Sequence, residues 1–347
     1  MMKATVFHKH GPPDVLSYED FETPKTHSGQ VLVKVKGVAL NHLDLFVRSG
    51  IPGLNLEMPH ILGSDISGEI VELGSDVRST LEVGQKILVD PGIYCGVCEF
   101  CIRGEESLCT SYGIIGEHAR GGYADYIALN PQNVIPIPET ARIDLVDAAS
   151  IPLTLMTAWR LLITKAKIKP GDDVLIIGIG GGVALAALQI AKTAGARVIV
   201  TSSSDEKLKK SETLGANITI NHRTTPEYHK EIYRVTKNRG VDVVLDSVGL
   251  ATWDRSLKSL RKGGKLVTCG ATSGPKAETN LNLIFWKQLE ILGSTMGSRD
   301  ELRTALKLVW SGKIRPVVDR IYPLSKAKEA HEILEHGEQF GKIVLRP

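Results

Sequence analysis

The run Gly178-Ile-Gly-Gly-Gly-Val-Ala184 constrains this chain more than any other stretch. It follows the short apolar segment Asp173-Val-Leu-Ile-Ile177 and opens an Ala/Leu-rich stretch, Val183 to Ala194, of helical character. A strand that ends in glycines and runs straight into a helix is the start of a βα unit. The series continues with Arg197-Val-Ile-Val-Thr201, a charged helical segment from Asp205 to Leu214, Asn217-Ile-Thr-Ile220, Val241-Asp-Val-Val-Leu-Asp246 and Lys265-Leu-Val-Thr-Cys269. Strands alternating with helices fold as a parallel sheet with crossover connections. The glycine turn alone could be a tight connection with no ligand. Flanked by these strand and helix signals, it predicts a dinucleotide site, with unpaired N–H groups and the positive helix end facing a pyrophosphate. Through Gly178, Gly181 and Ala184 the spacing is G-x-x-G-x-x-A, a departure from the usual G-x-G-x-x-G/A. The expected contacts are Gly178, Gly180, Gly181, Gly182 and Val183.

The second strand bears on which dinucleotide binds. An NAD site places an acidic residue at its end. Here the strand runs into Thr201-Ser-Ser-Ser204, and Ser202 stands where the carboxylate would be. Serine hydroxyls at 202 and 203, with Lys207 nearby, suit a 2′-phosphate that a carboxylate would repel. The expectation is NADP(H) ahead of NAD(H). The alternative is that Asp205 or Glu206 supplies the carboxylate, although both suit the first turn of the next helix.

Four of the five cysteines, Cys95, Cys98, Cys101 and Cys109, lie within fifteen residues. A disulfide framework needs an oxidising compartment, which nothing in the sequence suggests, so the cluster predicts a metal site. Four thiolates suit tetrahedral zinc with no open position, a structural rather than a catalytic arrangement. Iron–sulfur ligation and unligated thiols are the alternatives. Cys269, in an apolar strand pattern, reads as a core residue.

The first 150 residues look different. Val31 to Val38 alternates valine with lysine, the period of a half-buried strand, and short apolar runs follow at 70–73, 86–89 and 124–129 between Gly, Pro, Asn and Asp. This spacing predicts a barrel-like β domain. Lys+Arg is 42 against Asp+Glu 39, a net charge of +3, which gives no electrostatic footprint for nucleic acid. No apolar run is long enough for a membrane helix. The His-Lys-His of the N-terminus stands where a signal peptide would be apolar. The expected location is cytoplasmic.

Several further stretches carry a resemblance. They are Asn41-His-Leu-Asp44 with Arg48 and Gly50, Gly63-Ser-Asp-Ile-Ser-Gly68, the cysteine lobe, Gly121-Gly-Tyr-Ala-Asp-Tyr126, Thr157-Ala-Trp159 and the glycine loop. Together they resemble the medium-chain dehydrogenase/reductase superfamily over essentially the whole chain. The resemblance implies an α/β protein: a GroES-like β-barrel domain, residues 1–153 and 298–347, and a Rossmann doubly wound parallel sheet, 154–297. It also implies one structural zinc per chain on the four cysteines. In zinc alcohol dehydrogenases of this family a catalytic zinc is held by a Cys, a His and a third ligand. Aligned on the motifs, those positions are Asn41, Ser64 and a site near Leu153, so all three ligands are missing. Leu43 replaces the hydroxyl of the proton relay. Residual metal binding through His42, Asp44, His60 or Asp65 competes with simple hydrogen bonding by those residues.

Asn41 and the Gly-Ser-Asp motif resemble the quinone oxidoreductase and enoyl reductase branch, which works without a catalytic metal. The expected function is NADPH-dependent hydride transfer to a quinone or an α,β-unsaturated carbonyl. A zinc-family alcohol dehydrogenase or carbonyl reductase is the first alternative, and a low-turnover NADPH-binding sensor or structural protein the second. Asn41 is the expected hydrogen-bond donor to the developing oxyanion, or else a helix cap. The resemblance places Thr157 against the nicotinamide, His42 near the cofactor phosphates, and Gly249, Gly270 and Ala271 near ribose and nicotinamide. His118 and Tyr123 are candidates to deliver a proton, unless His118 is a surface loop residue and Tyr123 a core one. The expected partner is a small carbonyl, enone or quinone. Relatives pair Rossmann sheets edge to edge, and Ile284, Phe285 and Trp286 precede a strand, so a homodimer or homotetramer is expected.

Overall fold

The computed structural model describes residues 1–347. The chain divides into two compact units, Met1–Leu153 with Ser298–Pro347, and Thr154–Gly297.

The first unit is built on a 7-stranded sheet whose central strand is Val31–Ala39. Val31, Val33 and Val35 are buried and Lys34 is exposed, so the valine–lysine alternation sorts core from solvent. The strand pairs antiparallel with Asp65–Leu73 through two register shifts, one of them between Val35 and Gly37. Such bulges bend a strand and let a sheet curl. A Cβ on Gly68 would lie 2.4 Å from the Lys34 carbonyl oxygen, so only glycine allows the two strands this approach. The strand Lys342–Arg346 joins the same sheet, antiparallel to Val31–Ala39 and parallel to Val318–Pro323. A 3-stranded sheet of Leu16–Phe21, Met2–Phe7 and His60–Ile61 completes the β framework around one apolar core.

The second unit is a 6-stranded parallel sheet. Its spatial order is Ile218–Asn221, Arg197–Ser202, Asp173–Ile176, Val241–Leu245, Leu260–Thr268 and Glu290–Gly293. In sequence terms that is 3-2-1-4-5-6, the doubly wound Rossmann order, which binds ligands at the carboxyl ends of its strands where the order reverses. Continuous runs such as Val174-Leu-Ile176 and Val198-Ile-Val200 are buried, as strands covered on both faces require. The fifth strand starts at Leu260, earlier than its apolar run suggests, because Arg261–Gly263 continue it with little burial. No helix is long and apolar enough to cross a membrane.

Candidate active site and cofactor-binding elements

In the Rossmann unit the glycine loop leads from Asp173–Ile176 into the 12-residue helix Gly182–Thr193. Gly178 has φ +73 and Gly180 φ +132, values that L side chains rarely adopt. Gly181 caps the helix without positive φ and without a side-chain cap hydrogen bond. A Cβ there would meet nothing within 4 Å, so the chain leaves open space beside the first helical N–H groups. That space and those unpaired donors fit a pyrophosphate. Thr201 steadies the turn, its hydroxyl accepting from Gly178 N at 3.2 Å and its carbonyl from Ile179 N at 2.7 Å.

Ser202 ends the second strand, buried, with its hydroxyl accepting from Ser204 N at 3.2 Å. Ser204 caps the helix Asp205–Thr213 by accepting from Lys207 N, and Asp205 and Glu206 occupy its first turn. Asp205 is held by the Asn221 side-chain amide at 2.7 Å. Ser203 is exposed and Lys207 half-buried. Sequence reading missed His222 and Arg223. The pairing of Ser202 with Asn221 brings them alongside, and His222 N donates to the Ser202 carbonyl at 3.0 Å. Burial, then the charges of Arg255 and Arg223, hold the His222 pKa below its ordinary value. The signal was available in sequence as two basic residues directly after the third strand.

Asp246 was also missed. Its carboxylate is buried and accepts from Val248 N (2.8 Å), Gly249 N (3.2 Å), Thr252 Oγ1 (2.7 Å) and Ser256 Oγ (2.6 Å). It thereby shapes the turn in which Gly249 takes φ +87. A Cβ on Gly249 would lie 2.9 Å from the Ala271 Cβ, and Ser273 N donates to the Val248 carbonyl at 2.8 Å. Gly249, Gly270 and Ala271 therefore belong to two interlaced loops. Thr157, on the helix Pro152–Trp159, is buried and its hydroxyl has no protein partner, an orphaned polar atom of the kind a bound group satisfies.

In the barrel unit Asn41 caps the helix His42–Ser49. Its backbone N–H donates to Asp44 at 2.6 Å, and Asp44 also accepts from Gly63 N at 3.0 Å. Burial pushes the Asp44 pKa up to about 7 despite these donors and the Lys342 charge. The Asn41 side chain is fully engaged. Its Nδ2 donates to Asp65 at 3.0 Å and contacts the Ala39 carbonyl at 3.5 Å, while its Oδ1 accepts from Lys342 Nζ at 2.5 Å. Lys342 Nζ also donates to Asp65 at 2.9 Å, and Leu153 N to the other Asp65 oxygen at 2.6 Å. Asp65 is fully buried, as is Ser64, whose hydroxyl has no partner. An amide, a hydroxyl and an aliphatic side chain do not form a zinc ligand set, and an ammonium beside them repels a cation. A catalytic metal does not fit here.

His42 is open to solvent at its rim yet otherwise packed round by protein, and that desolvation with the Lys342 charge lowers its pKa. His60 bonds the Gly116 carbonyl at 3.1 Å. His118 is exposed and holds its own turn, its Nδ1 accepting from Ile114 N at 3.2 Å. Tyr123 is a core residue. Its hydroxyl contacts His331 Nε2 at 3.1 Å. Arg48 donates to His331 Nδ1 at 2.9 Å, which fixes the ring tautomer with its proton on Nε2, and Arg48 also pairs with Glu335. Neither His118 nor Tyr123 shares a hydrogen bond with the Asn41 cluster.

The sulfurs of Cys95, Cys98, Cys101 and Cys109 all lie within 4.8 Å of one another. Backbone N–H groups of Cys98 and Ser111 point at the sulfurs of Cys95 and Cys109, at 3.3 and 3.4 Å. Such bonds favour thiolate, and backbone donors hold the Cys98 pKa down to about 6. Four converging sulfurs with N–H support are the donor set of tetrahedral zinc.

Two family descriptions match the chain: "Alcohol dehydrogenase GroES-like domain" over residues 27–139 and "Zinc-binding dehydrogenase" over 182–311. The NAD-dependent alcohol dehydrogenase of Sulfolobus acidocaldarius is 34% identical, with 99% of each chain covered. The chain belongs to the zinc-containing alcohol dehydrogenase family. Membership in this family, a branch of the medium-chain dehydrogenase/reductase superfamily, makes the protein a nicotinamide-dependent oxidoreductase. Other members similar to it include the acryloyl-coenzyme A reductase of Metallosphaera sedula, 30% identical over 99% of both chains. A solved structure titled as an NAD-dependent alcohol dehydrogenase is 41% identical over the full length of both chains, with a TM-score of 0.96. The GroES-like barrel and the Rossmann sheet are thus the fold of this family, and the cysteine lobe is of its zinc-binding kind.

Proposed function

We propose that this oxidoreductase reduces a carbon conjugated to a carbonyl, in an enone, an acryloyl-type thioester or a quinone, and does so without a catalytic metal. The observation that carries this reading is the Lys342–Asn41–Asp65 cluster, which closes the positions where a metal-dependent member needs ligands. The acryloyl-coenzyme A reductase among its relatives supports it. A bound reduced nicotinamide supplies the hydride. Gly178, Gly180, Gly181, Gly182 and Val183 cradle its pyrophosphate, and Thr157, Gly249, Gly270 and Ala271 position the nicotinamide end. Ser202, Ser203 and Lys207, joined by Arg223, take the 2′-phosphate of NADPH in preference to NADH. His42 serves the cofactor phosphates. Asn41 belongs to the polar cluster that meets the substrate oxygen. His118 holds its own turn, and no step is assigned to it. One zinc sits on Cys95, Cys98, Cys101 and Cys109.

A second reading, alcohol oxidation or carbonyl reduction, is favoured by the names of most of the relatives and by that of the 41%-identical structure. Parallel assays of NADPH and NADH oxidation with an enone, a quinone and an aldehyde, and of NAD(P)+ reduction with an alcohol, separate the two. Turnover of the enone or quinone with the aldehyde and alcohol inert supports the first reading. The reverse pattern establishes the second. A cofactor-binding protein with no turnover on any of them is the sensor or structural reading.

We also propose a homodimer through the outer Rossmann strand. Glu290–Gly293 is paired on one side only, and Phe285 (58% exposed), Trp286 (74%) and Ile291 (37%) stand beside it. An unpaired edge with apolar neighbours is a template for pairing. A monomeric mass at micromolar concentration overturns this.

A further inference from the structure

The strands Asp173–Ile176 and Val241–Leu245 are neighbours in the Rossmann sheet, and the strand order reverses between them. In sheets of this kind the crevice outside their carboxyl ends takes the ligand. Gly178 belongs to the turn after the first of these strands, and Asp246 opens the turn after the second. The two turns touch: a Cβ on Gly178 would lie 3.5 Å from Val248 Cγ2. Behind Val248, residues 247–251 are laced to the loop that follows the fifth strand, Leu260–Thr268. Thr272 N donates to the Ser247 carbonyl at 3.2 Å, and Leu250 N to the Gly274 carbonyl at 3.1 Å. Ser273 is the centre of the lacing. Its N–H and its hydroxyl both donate to the Val248 carbonyl, at 2.8 and 2.7 Å, and the hydroxyl accepts from Ala251 N at 3.0 Å.

These loops are not stiff by composition. They contain Gly249, Gly270 and Gly274, and glycine loses more conformational freedom on folding than any other residue. Asp246 offsets that cost. It is 1% exposed, and its carboxylate accepts from Val248 N and Gly249 N on one oxygen and from Thr252 Oγ1 and Ser256 Oγ on the other. Four bonds fill a carboxylate's acceptor sites. Asp246 therefore acts through the turn that it holds, with nothing left over for a ligand. The amino ends of the same sheet are fastened differently, by ion pairs of Asp173 with Arg197 and of Asp242 with Arg239 and Arg261. Hydrogen bonds folded back into the loops leave the carboxyl ends clear of such long charged side chains.

We propose that Asp246 and Ser273 are positioning residues of the cofactor site. They clasp the loops after the fourth and fifth strands into one surface and thereby set the affinity for the dinucleotide. This rests on the reading above that Gly249, Gly270 and Ala271 position the nicotinamide end. Binding to a surface that is already ordered avoids the cost of ordering it. Loosening the clasp therefore weakens cofactor binding and leaves the loaded enzyme's rate nearly unchanged.

The test measures cofactor dissociation constants and sites per chain by nicotinamide fluorescence on the full-length protein with its zinc content measured. The ligand is whichever of NADPH and NADH the wild type binds more tightly. Asp246→Ala should raise Kd about tenfold or more and Ser273→Ala about threefold, the range between a hydrogen bond to a charged group and a neutral one. Asp246→Asn, whose oxygen can still accept from the backbone N–H groups, should recover part of the loss. With any substrate that is turned over, kcat at saturating cofactor should stay within about twofold, because the binding lost is uniform. A folding defect alone lowers the sites per chain and the unfolding midpoint and leaves Kd as it was. Unchanged Kd in both alanine variants, or a loss seen only as fewer sites, overturns the proposal. Should Asp246→Ala fail to fold, Ser273→Ala, at an exposed position, decides it. Ala271→Leu tests the underlying reading by adding bulk to the loop. Unchanged affinity there means that these loops do not line the cofactor. Weakened affinity there, with intact Kd in the clasp variants, means that the clasp alone fails.

Discussion

Four sulfurs converge in the lobe between Cys95 and Cys109, all within 4.8 Å of one another, with backbone N–H groups turned toward them. At Asn41, Ser64 and Leu153, in the same unit, the corresponding collection is an amide, an orphaned hydroxyl and an aliphatic chain, with a lysine ammonium bonded among them. The lobe has little core of its own: Cys95, Val97 and Ile102 are exposed, and its helix Glu99–Ile102 is a single turn. A metal bound by the four sulfurs would supply the cross-links that such a lobe lacks. The Asn41 cluster lies on strands and a helix packed over the barrel core, which hold polar groups in place without an ion. A metal is indispensable where the polypeptide cannot fix geometry, and replaceable where it can.

The largest expected effect breaks the lobe. Stripping zinc with a chelator, or replacing Cys98 by Ser, should remove the single zinc and destabilise the lobe by several kcal/mol, since zinc binding to small sites of this type is worth about 10 kcal/mol or more. Scanning calorimetry with metal analysis checks this. Turnover per folded molecule should change far less. If a fully folded, zinc-free protein lost all activity, the division between the two regions would be wrong.

The next attempts to reverse the comparison. Asn41→Cys/Ser64→His should still bind one zinc per chain, because the ammonium remains. Adding Lys342→Met should raise the count to two, with Asp65 free to ligate. Two zincs in the wild type would contradict the account of the cluster and revive a metal-dependent alcohol dehydrogenase.

A third prediction probes the cost of burying a carboxyl beside Asn41. The Asp44 pKa is raised from 3.8 to about 7, burial being the main cause. The folded protein then holds a proton that the unfolded chain releases, so stability should fall as pH rises from about 4 to about 7, on the order of 1–3 kcal/mol. Denaturation midpoints across that range test it, and Asp44→Asn should flatten the slope.

The smallest effect concerns the far end of the cofactor. Ser202→Asp should abolish a preference for NADPH of about tenfold, equivalent to one charge-assisted hydrogen bond. The kcat/KM ratio for the two cofactors, with one substrate at fixed ionic strength, measures it. A ratio near one in the wild type would mean that the departure from the NAD-dependent relatives stops at the barrel.

The sequence announced features whose residues are neighbours. The glycine loop and the cysteine lobe are each complete within a few residues, and their chemistry is legible because nothing else need be folded to see it. Asn41 was legible as a missing ligand, yet its environment was not. Lys342 lies 301 residues further on in sequence and reaches Asn41 only through the return of its strand to the first sheet. In Lys-Ile-Val-Leu-Arg the lysine looks like a solvent-facing strand end, and only the neighbouring strands decide that it points inward. Asp246 was hidden for a related reason. A carboxylate at a strand end ordinarily faces water, and its four donors come from the turn and helix that follow.

The order of the strands also has a consequence for synthesis. Residues Thr154–Gly297 form a contiguous Rossmann unit, able to close as soon as they emerge. The barrel cannot: Val31–Ala39 waits for Lys342–Arg346 to cover its flank. At translation rates of about 5–20 residues per second, the first unit stays open for roughly 3–10 seconds after the last Rossmann residue has been made. During that interval Asp65 has no cation and the half-made sheet offers a bare edge to any chaperone or neighbouring nascent chain. The Lys342–Asp65 ion pair is thus among the last contacts that the ribosome makes possible.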